Sequence, residues 1–315
     1  MIQSTIQKKI KEVKNEIWKK IIWQNNLIRD LLISLFSGWH ILIEWYPWLA
    51  KTLSIDTLSK TLWLKFKRIQ FTPDLLPSDL IWAKIYNPEK KEFDTSLWPI
   101  FSNFILADEI NRAPSKVQSA LLEAMAEKQV TIWDETIKLS EPFIVLATQN
   151  PIEQLWVYSL PEAELDRFLL KTIVNYPTKE EEIQILEKSV SIDNIKIKKV
   201  LTKKEVIDIR NIIKDIHVDK YILEYIRDII FETRDLDKYK DFIGYGVSPR
   251  ASISLLKSAK TLAFLNDRDF VIPEDIKEMS LPVLRHRIIL TYEAKADNLW
   301  VDDIIIKVLN NVKIK

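Results

Sequence analysis

The fold of this chain can be inferred from the run FILADEINRAPSKVQSALLEAMAEK, residues 104–128, together with the apolar runs on either side of it. Its first four residues are continuously apolar, which is typical of a strand buried on both faces of a parallel sheet. Asp108 and Glu109 end this strand. Pro114 stands near the first turn of a helix predicted over residues 114–128. Proline is favoured there because the first N–H groups of a helix have no acceptor within the helix. The segment is therefore one strand–helix unit.

Three more apolar runs before Pro177 indicate strands of the same kind. They cover residues 40–44, 143–147 and 168–174. Two helices are predicted ahead of them in residues 1–37, where the first has isoleucines at helical spacing among lysines. Strands that alternate with helices indicate an α/β domain with a parallel sheet, which we place at residues 1–177.

Residues 178–315 have a helical pattern nearly to their end. Thr178 with Glu181 three residues later fits a capping box at a helix start. The dipeptides Ser248-Pro249 and Ile272-Pro273 each fit the entry to a helix. We therefore expect a second, smaller, all-α domain over these residues.

The composition excludes several classes of protein. The chain has 315 residues, of which 47% are hydrophobic, so it can bury a sizeable core. Its 46 basic and 45 acidic side chains nearly cancel, which argues against a broad nucleic-acid footprint. The lack of cysteine excludes disulfides and thiol chemistry, and the 3 scattered histidines do not suggest a metal site. The polar N-terminus and the absence of a long apolar run predict no signal peptide, no membrane span and a cytoplasmic location.

The first candidate site follows the strand at residues 40–44. The next segment, from Glu44 to Thr52, reads EWYPWLAKT and opens a helix. This is the context of a phosphate-binding loop, in which backbone N–H groups hold phosphates, a lysine reaches the β and γ phosphates and a threonine binds Mg²⁺. Lys51 and Thr52 fit those two roles, although Lys-Thr alone fits an ordinary helix start as well. Tryptophan stands at both positions where the motif needs glycine.

Polar residues at the ends of later strands supply the other candidates. Asp108 could position Mg²⁺ and Glu109 could polarise an attacking water, although surface acids also end many strands. Asn150 could bind a γ-phosphate or that water, and an Asn-Pro turn is the alternative. Arg167 and Arg250 each offer a guanidinium fork that suits phosphate oxygens, and each would alone fit a surface ion pair.

In this order and spacing, the motifs resemble those of the MoxR family of AAA+ ATPases. The stretches that carry the resemblance are GWHILIEWYPWLAKT (38–52), RIQFTPDLLPSDL (68–80), ADEINRAPSKVQSALLEAMAEKQVTI (107–132), LATQNPIEQ (146–154), YSLPEAELDRFLLK (158–171), YGVSPRAS (245–252) and RHRIILTYEA (285–294). The resemblance covers nearly the whole chain. It implies an α/β fold, with a P-loop AAA+ parallel-sheet domain followed by an all-α lid, and hydrolysis of ATP with Mg²⁺ as cofactor.

The resemblance also implies roles for single residues. Lys51 would be the lysine of the phosphate loop, and Thr52 and Asp108 would hold Mg²⁺. Glu109 would activate the attacking water. The other residues expected against the nucleotide are Trp45, Pro47, Trp48, Leu49 and Ala50.

Three further residues are implied to act on the phosphates. Asn150 would be the sensor that couples the γ-phosphate to the sheet. Arg167 would be an arginine finger supplied to the nucleotide of the neighbouring subunit. Arg250 would be a second sensor, reaching from the lid onto the phosphates, with the nucleotide held between the α/β domain and the lid. Because the finger acts on a neighbour, a ring is implied, and we expect a hexamer.

The resemblance leaves the partners of the ring open. It implies chaperone-like remodelling or maturation of client proteins, which the sequence does not identify, often with a partner that carries a von Willebrand factor A domain. A non-catalytic scaffold or interaction module is the alternative if the tryptophans are genuine. A magnesium-chelatase-like AAA+ subunit is another alternative, because such subunits share much of the motif order. The balanced charge makes a clamp-loader or helicase role less favoured.

The counts of glycine and tryptophan are the anomaly of the composition. The chain has 3 glycines and 11 tryptophans, whereas average usage of about 7% would give roughly 22 glycines. Trp45 and Trp48 fall on the two glycines of the family's phosphate loop. The others that fall where the family tends to carry glycine are Trp23, Trp39, Trp63, Trp82, Trp98, Trp133 and Trp156, while Trp18 and Trp300 fit less well. We hypothesise that the gene uses UGA for glycine and that this sequence reads UGA as tryptophan.

We predict that the chain with tryptophan at both loop positions binds ATP weakly and that Trp45→Gly with Trp48→Gly restores binding. An indole on the Cβ atom removes the backbone freedom of the loop and occupies the space where phosphate meets the main chain. Titration with a fluorescent ATP analogue measures the difference, and equal affinity of the two chains would contradict the prediction. UGG codons at both positions would contradict the hypothesis on the genetic code.

Overall fold

The computed structural model describes residues 2–21, 24–45, 51–87, 92–97, 99–132, 135–150, 158–189 and 195–314. The strands in these residues are β1 (Ile41–Trp45), β2 (Phe66–Gln70), β3 (Trp82–Asn87), β4 (Glu92–Leu97), β5 (Phe104–Asp108), β6 (Gln129–Ile132), β7 (Glu135–Lys138), β8 (Ile144–Gln149), β9 (Leu170–Val174), β10 (Ile243–Tyr245) and β11 (Ile289–Leu290). The α-helices are α1 (Ile2–Trp18), α2 (Asn25–Ser37), α3 (Lys51–Thr61), α4 (Pro77–Ile81), α5 (Ser115–Glu127), α6 (Glu162–Leu165), α7 (Lys179–Ser189), α8 (Lys203–Lys214), α9 (Lys220–Glu232), α10 (Leu236–Tyr239), α11 (Pro249–Leu265), α12 (Pro273–Leu284), α13 (Tyr292–Ala296) and α14 (Val301–Asn311).

Five of the strands form one fully parallel sheet in the order β2-β5-β8-β1-β9. In the centre of this sheet, Ile41 of β1 lies beside Leu146 of β8 and Leu170 of β9. All of β5 is buried, as expected of a strand that is covered on both faces. The predicted α/β architecture is confirmed.

The edge strand β2 is missing from the sequence-based prediction. Only Ile69 of this strand is buried, whereas Lys67, Arg68 and Gln70 are exposed. An edge strand is covered less than a central one and therefore carries charged side chains instead of a continuous apolar run. The antiparallel hairpins β3–β4 and β6–β7 were not predicted either, because neither contains such a run.

Two hydrophobic cores cover the faces of the sheet. Ile41 and Ile43 contribute to one core and Leu42 to the other, because successive strand residues point to opposite faces. The smaller core is closed by α5. The larger one contains residues of α1, α2, α8, α9, α11, α12 and α14, so the apolar layer beneath the sheet continues into the lid.

The helix starts predicted in the lid are confirmed. Ser248 caps α11, with its hydroxyl oxygen accepting from the backbone N–H of Arg250, and Pro249 occupies the first turn. The Thr178 and Glu181 side chains exchange hydrogen bonds with each other's backbone N–H groups, which is the predicted capping box. None of the helices described is long and apolar enough to cross a bilayer.

Five tryptophan side chains lie in the part of the chain that the structure describes. Trp18, Trp63 and Trp300 are 46%, 59% and 64% exposed, Trp39 is partly buried, and Trp45 is fully buried in the larger core. Large aromatic side chains are usually mostly buried. The three exposed tryptophans therefore occupy positions where the fold does not require an aromatic ring, and the hypothesis on the genetic code stays a prediction.

His40 lies at the amino end of β1 and is fully enclosed. Its Nδ1 atom accepts from the Val145 backbone N–H at 3.0 Å, so the proton lies on Nε2, which donates to the Met125 carbonyl at 3.2 Å. Burial lowers the pKa of His40 to about 4, although the bond to Met125 opposes this shift. His40 is therefore a core histidine with both ring nitrogens hydrogen-bonded.

We predict that His40 makes the fold less stable in acid. Its pKa is about 4 when folded and near 6.5 when unfolded, so the unfolded chain binds the proton first and stability falls as pH drops between these values. The loss from this residue between pH 7 and pH 5 is about 2 kcal/mol. His40→Gln keeps one donor and one acceptor but does not titrate. Urea unfolding at both pH values should show a correspondingly smaller pH effect in this variant, and an unchanged pH effect would contradict the prediction.

Candidate active site

The carboxyl ends of β1, β5 and β8 meet at one edge of the sheet, because these strands are parallel and adjacent. Ligands of open α/β sheets bind at this edge. Here β1 ends at Trp45 and α3 begins at Lys51. Of the predicted phosphate loop, Pro47, Trp48, Leu49 and Ala50 lie outside the described residues, while Lys51 and Thr52 form the first turn of α3. A strand that ends at Trp45 and a helix that begins at Lys51 are the two flanking elements that the phosphate-loop prediction requires.

Asp108 is the last residue of β5 and its carboxylate is already paired. Its Oδ1 atom accepts from the Thr148 hydroxyl at 2.6 Å. Its Oδ2 atom lies 2.5 Å from Nη2 and 3.2 Å from Nε of Arg68, on the neighbouring strand β2. The carboxylate is only 1% exposed, so the guanidinium compensates a charge that would otherwise be costly to bury.

Glu109 has a left-handed backbone, with φ 57° and ψ 50°. This conformation is strained for a residue with a Cβ atom and is concentrated at functional sites. The Glu109 backbone N–H donates to the Thr148 hydroxyl at 2.9 Å. Its Oε2 atom accepts from Gln70 Nε2 at 2.8 Å and from Arg112 Nη1 at 3.0 Å. The carboxylate is therefore held in a defined orientation beside the end of β2.

Thr148 connects the two acids through one hydroxyl group. It donates to Asp108 and accepts from the backbone of Glu109, so it uses the hydroxyl both as donor and as acceptor. Asn150 follows two residues later, just beyond the end of β8, and is also buried. Thus Asp108, Glu109 and Asn150, which the sequence analysis proposes, lie together at the edge where α3 begins.

Arg167 and Arg250 lie at the opposite edge of the sheet. Both line a cavity of about 330 Å³ together with Trp39 and His40, which immediately precede β1. The five residues of β1 separate the two edges by on the order of 15 Å. Arg250 thus lies about one strand length from the carboxyl edge of its own sheet, in the first turn of α11, which packs against α12, α2, α8 and α9. Its role as a second sensor on phosphates stays a prediction.

Three residues at the carboxyl edge were not singled out from the sequence. Arg68 and Gln70 alternate on β2, and Gln70 lies in register with Asp108. In the sequence they appear only as two polar residues at alternate positions. This pattern becomes informative only when β2 is known to lie beside β5. Thr148 was visible in the apolar run of β8 as a single hydroxyl residue before Asn150.

Known proteins share both parts of this architecture. Residues 40–170 match the profile of the ATPase family associated with various cellular activities (AAA), and residues 240–307 match that of the AAA lid domain. The chain is 42% identical over 313 residues to Chaperone MoxR1 of Mycobacterium tuberculosis, an alignment covering 98% of this chain and 82% of that protein. It is 43% identical over 286 residues to the uncharacterized protein YeaC of Bacillus subtilis, an alignment covering 90% of this chain and 88% of that protein.

A solved structure supports the same relationship. The crystal structure of a candidate ATPase from Cytophaga hutchinsonii superposes with a TM-score of 0.93 at 48% sequence identity. The superposition covers 99% of this chain and 97% of that one. The likeness therefore extends over the sheet and the lid together.

We predict that Thr148→Val lowers the free energy of unfolding by about 1–3 kcal/mol, because the Glu109 N–H loses its acceptor and Asp108 loses a donor in a buried site. Thr148→Ser keeps the hydroxyl, so its free energy of unfolding should fall clearly less. Urea denaturation of the two variants measures the difference. Equal stability of the valine and serine variants would mean that the hydroxyl does not hold the two acids.

Proposed function

Since this chain belongs to the MoxR family of AAA+ ATPases and is an ATP hydrolase, we propose that it holds ATP and Mg²⁺ at the carboxyl edge of its sheet and that a neighbouring subunit completes each site. The observation that carries the proposal is the separation of the charged groups. Asp108 and Glu109 lie at the carboxyl edge, whereas Arg167 and Arg250 lie at the amino edge. One chain therefore holds the acids of one site and the arginines of another.

Asp108 fits a magnesium site by its chemistry. Mg²⁺ takes oxygen ligands and is usually bound by one or two carboxylates together with phosphate oxygens and water. Thr148 orients Oδ1 of Asp108, and the Thr52 hydroxyl would be the second protein ligand. The ion, when bound, would neutralise charge on the phosphates. Lys51, in the first turn of α3, would bind the β and γ phosphates.

We assign Glu109 the role of general base, which accepts a proton from the water that attacks the γ-phosphorus. Gln70 and Arg112 both donate to its Oε2 atom, so the carboxylate must exchange these hydrogen bonds when it turns to the water. Asn150, beside the same edge, would bind the γ-phosphate or the water. These residues together account for activation of the nucleophile within one chain.

Arg167 and Arg250 would act on the nucleotide of the neighbouring subunit. They share one cavity, so a phosphate group in it could meet both guanidinium groups, each of which can form paired hydrogen bonds. Subunits that present acids on one face and arginines on the other would associate head to tail, and such a heterologous contact forms a ring when the rotation between subunits closes. We propose a hexamer.

We further infer that hydrolysis drives chaperone-like remodelling of client proteins. One relative is named a chaperone, and the arginines lie where the sheet meets the lid, so loss of a neighbour's γ-phosphate would change lid contacts. A von Willebrand factor A domain partner remains a prediction from the family resemblance.

We predict that Glu109→Gln reduces kcat for ATP hydrolysis by about 10²- to 10⁴-fold while nucleotide binding is retained, because only proton transfer is lost. The measurement uses the gene-matched chain, which we define as the full-length chain with glycine at every tryptophan that the gene encodes as UGA. Glu123→Gln, on the exposed face of α5, is the matched control and should hydrolyse ATP normally. Hydrolysis by Glu109→Gln at the control rate would remove Glu109 from the mechanism.

We predict that Arg167→Ala also inactivates the ring and that mixing it with Glu109→Gln restores activity. In mixed rings, an Arg167→Ala subunit keeps its own acids and can receive Arg167 from a Glu109→Gln neighbour. Random mixing leaves roughly a quarter of the contacts intact, so about a quarter of the original rate should return. A mixture as inactive as its components would show that Arg167 does not act on a neighbouring site.

A further inference from the structure

Asp166 has no role in the proposed mechanism, but its carboxylate contacts residues from separate parts of the lid. It lies between α6 and β9 and directly precedes Arg167. Its Oδ1 atom accepts from Arg287 Nε at 2.7 Å, in the turn after α12. Its Oδ2 atom accepts from the Ser248 hydroxyl at 2.9 Å and lies 3.9 Å from Nη1 of Arg250, at the start of α11. One carboxylate thus contacts the start of α11 and the turn that follows α12.

Arg287 is the buried partner of this carboxylate, with a side chain that is 1% exposed. Its Nη2 atom donates to the carbonyls of Phe168 at 2.6 Å and Asp166 at 3.3 Å, and its Nη1 atom donates to the carbonyl of Leu169 at 3.1 Å. Burial lowers the pKa of Arg287, and Asp166 opposes that shift. The carboxylate therefore compensates a guanidinium charge that would otherwise be costly to bury.

These contacts surround the predicted arginine finger. Arg287 holds the carbonyl groups on both sides of Arg167, those of Asp166 and Phe168, while the Arg167 side chain lines the same cavity as Arg250. The backbone that carries Arg167 is thus attached to α12, and the first turn of α11, which carries Arg250, is attached to the same carboxylate. Asp166 is therefore one of the links between the lid and the start of β9, and it contacts both α11 and Arg287.

We propose that Asp166 is a positioning residue that sets the spacing of Arg167 and Arg250, so that a neighbouring nucleotide meets both arginines at once. This inference rests on the proposed function, in which both arginines act on the next subunit. Loss of the carboxylate releases Ser248 and Arg250 and leaves Arg287 without its charged partner. Both guanidinium groups then lose their fixed position, although the nucleotide of the same chain is bound at the other edge.

The test uses Asp166→Asn and Asp166→Glu in the gene-matched chain. Misplacing a catalytic group by about 1 Å can lower a rate 10²-fold, so we expect kcat of Asp166→Asn to fall by about 10- to 100-fold. The KM for ATP should change by less than about threefold, because the residues that bind nucleotide are distant. Asp166→Glu retains the negative charge, so its kcat should fall less than that of Asp166→Asn.

Asp302→Asn is the matched control. Asp302 pairs with Arg285 at 2.6 Å, so this variant also breaks an arginine–carboxylate pair in the lid. Arg285 contacts β9 at the carbonyl of Lys171 and not at the residues on either side of Arg167. Its kcat should stay near that of the parent chain. A kcat as low as that of Asp166→Asn would indicate a general effect of lid stability and would overturn the inference.

The decisive measurement is complementation in mixed rings. If Asp166 acts through Arg167 and Arg250, Asp166→Asn mixed with Glu109→Gln should recover ATP hydrolysis to the same fraction as Arg167→Ala mixed with Glu109→Gln. Recovery by Arg167→Ala but not by Asp166→Asn would overturn the inference and leave the proposed function intact. If neither mixture recovers ATP hydrolysis, both the inference on Asp166 and the proposed action of Arg167 on a neighbouring site would be overturned. If Asp166→Asn does not fold, Asp166→Glu carries the same comparison.

Discussion

All strands of the central sheet run in one direction, and this constraint determines where the chemistry of the protein can lie. Parallel strands bring every carboxyl end to one edge and every amino end to the other. Asp108 and Asn150 follow the carboxyl ends of β5 and β8, whereas Arg167 precedes the amino end of β9. Acids and arginines are thus separated by the length of a strand. This separation is why the proposed function assigns the acids and the arginines of one site to two subunits.

The sheet also makes charge compensation necessary at both edges. A carboxylate at the end of a buried strand is removed from water, so it needs donors from neighbouring elements. Asp108 is paired with Arg68, Glu109 with Gln70 and Arg112, and Asp166 with the buried Arg287. At the carboxyl edge the donors come from β2, from Thr148 of β8 and from the turn after β5. At the amino edge they come from the lid, which connects the lid physically to the residue beside Arg167.

The sequence could predict the residues that follow apolar runs, because such runs identify central strands without any knowledge of their neighbours. Asp108, Glu109 and Asn150 were found in this way. Arg68 and Gln70 were not, because β2 is an exposed edge strand with no apolar run, and their importance depends on the pairing of β2 with β5. The edge at which Arg250 lies could not be predicted for a related reason. The sequence shows that a helix begins at Pro249, but the direction of that helix results from its packing on α12, α2, α8 and α9.

The sequence by itself determines local features: the strand–helix alternation, the helix caps, the acids at the strand ends, the family and the anomalous tryptophans. Each of these depends on residues close together along the chain. The folded chain adds which distant residues share an edge. It pairs Arg68 with Asp108 across 40 residues and Arg287 with Asp166 across 121 residues, and it places Arg250 beside Arg167. These relations result from strand order and from the burial of apolar helix faces, because many residues together determine that packing and no local motif encodes it.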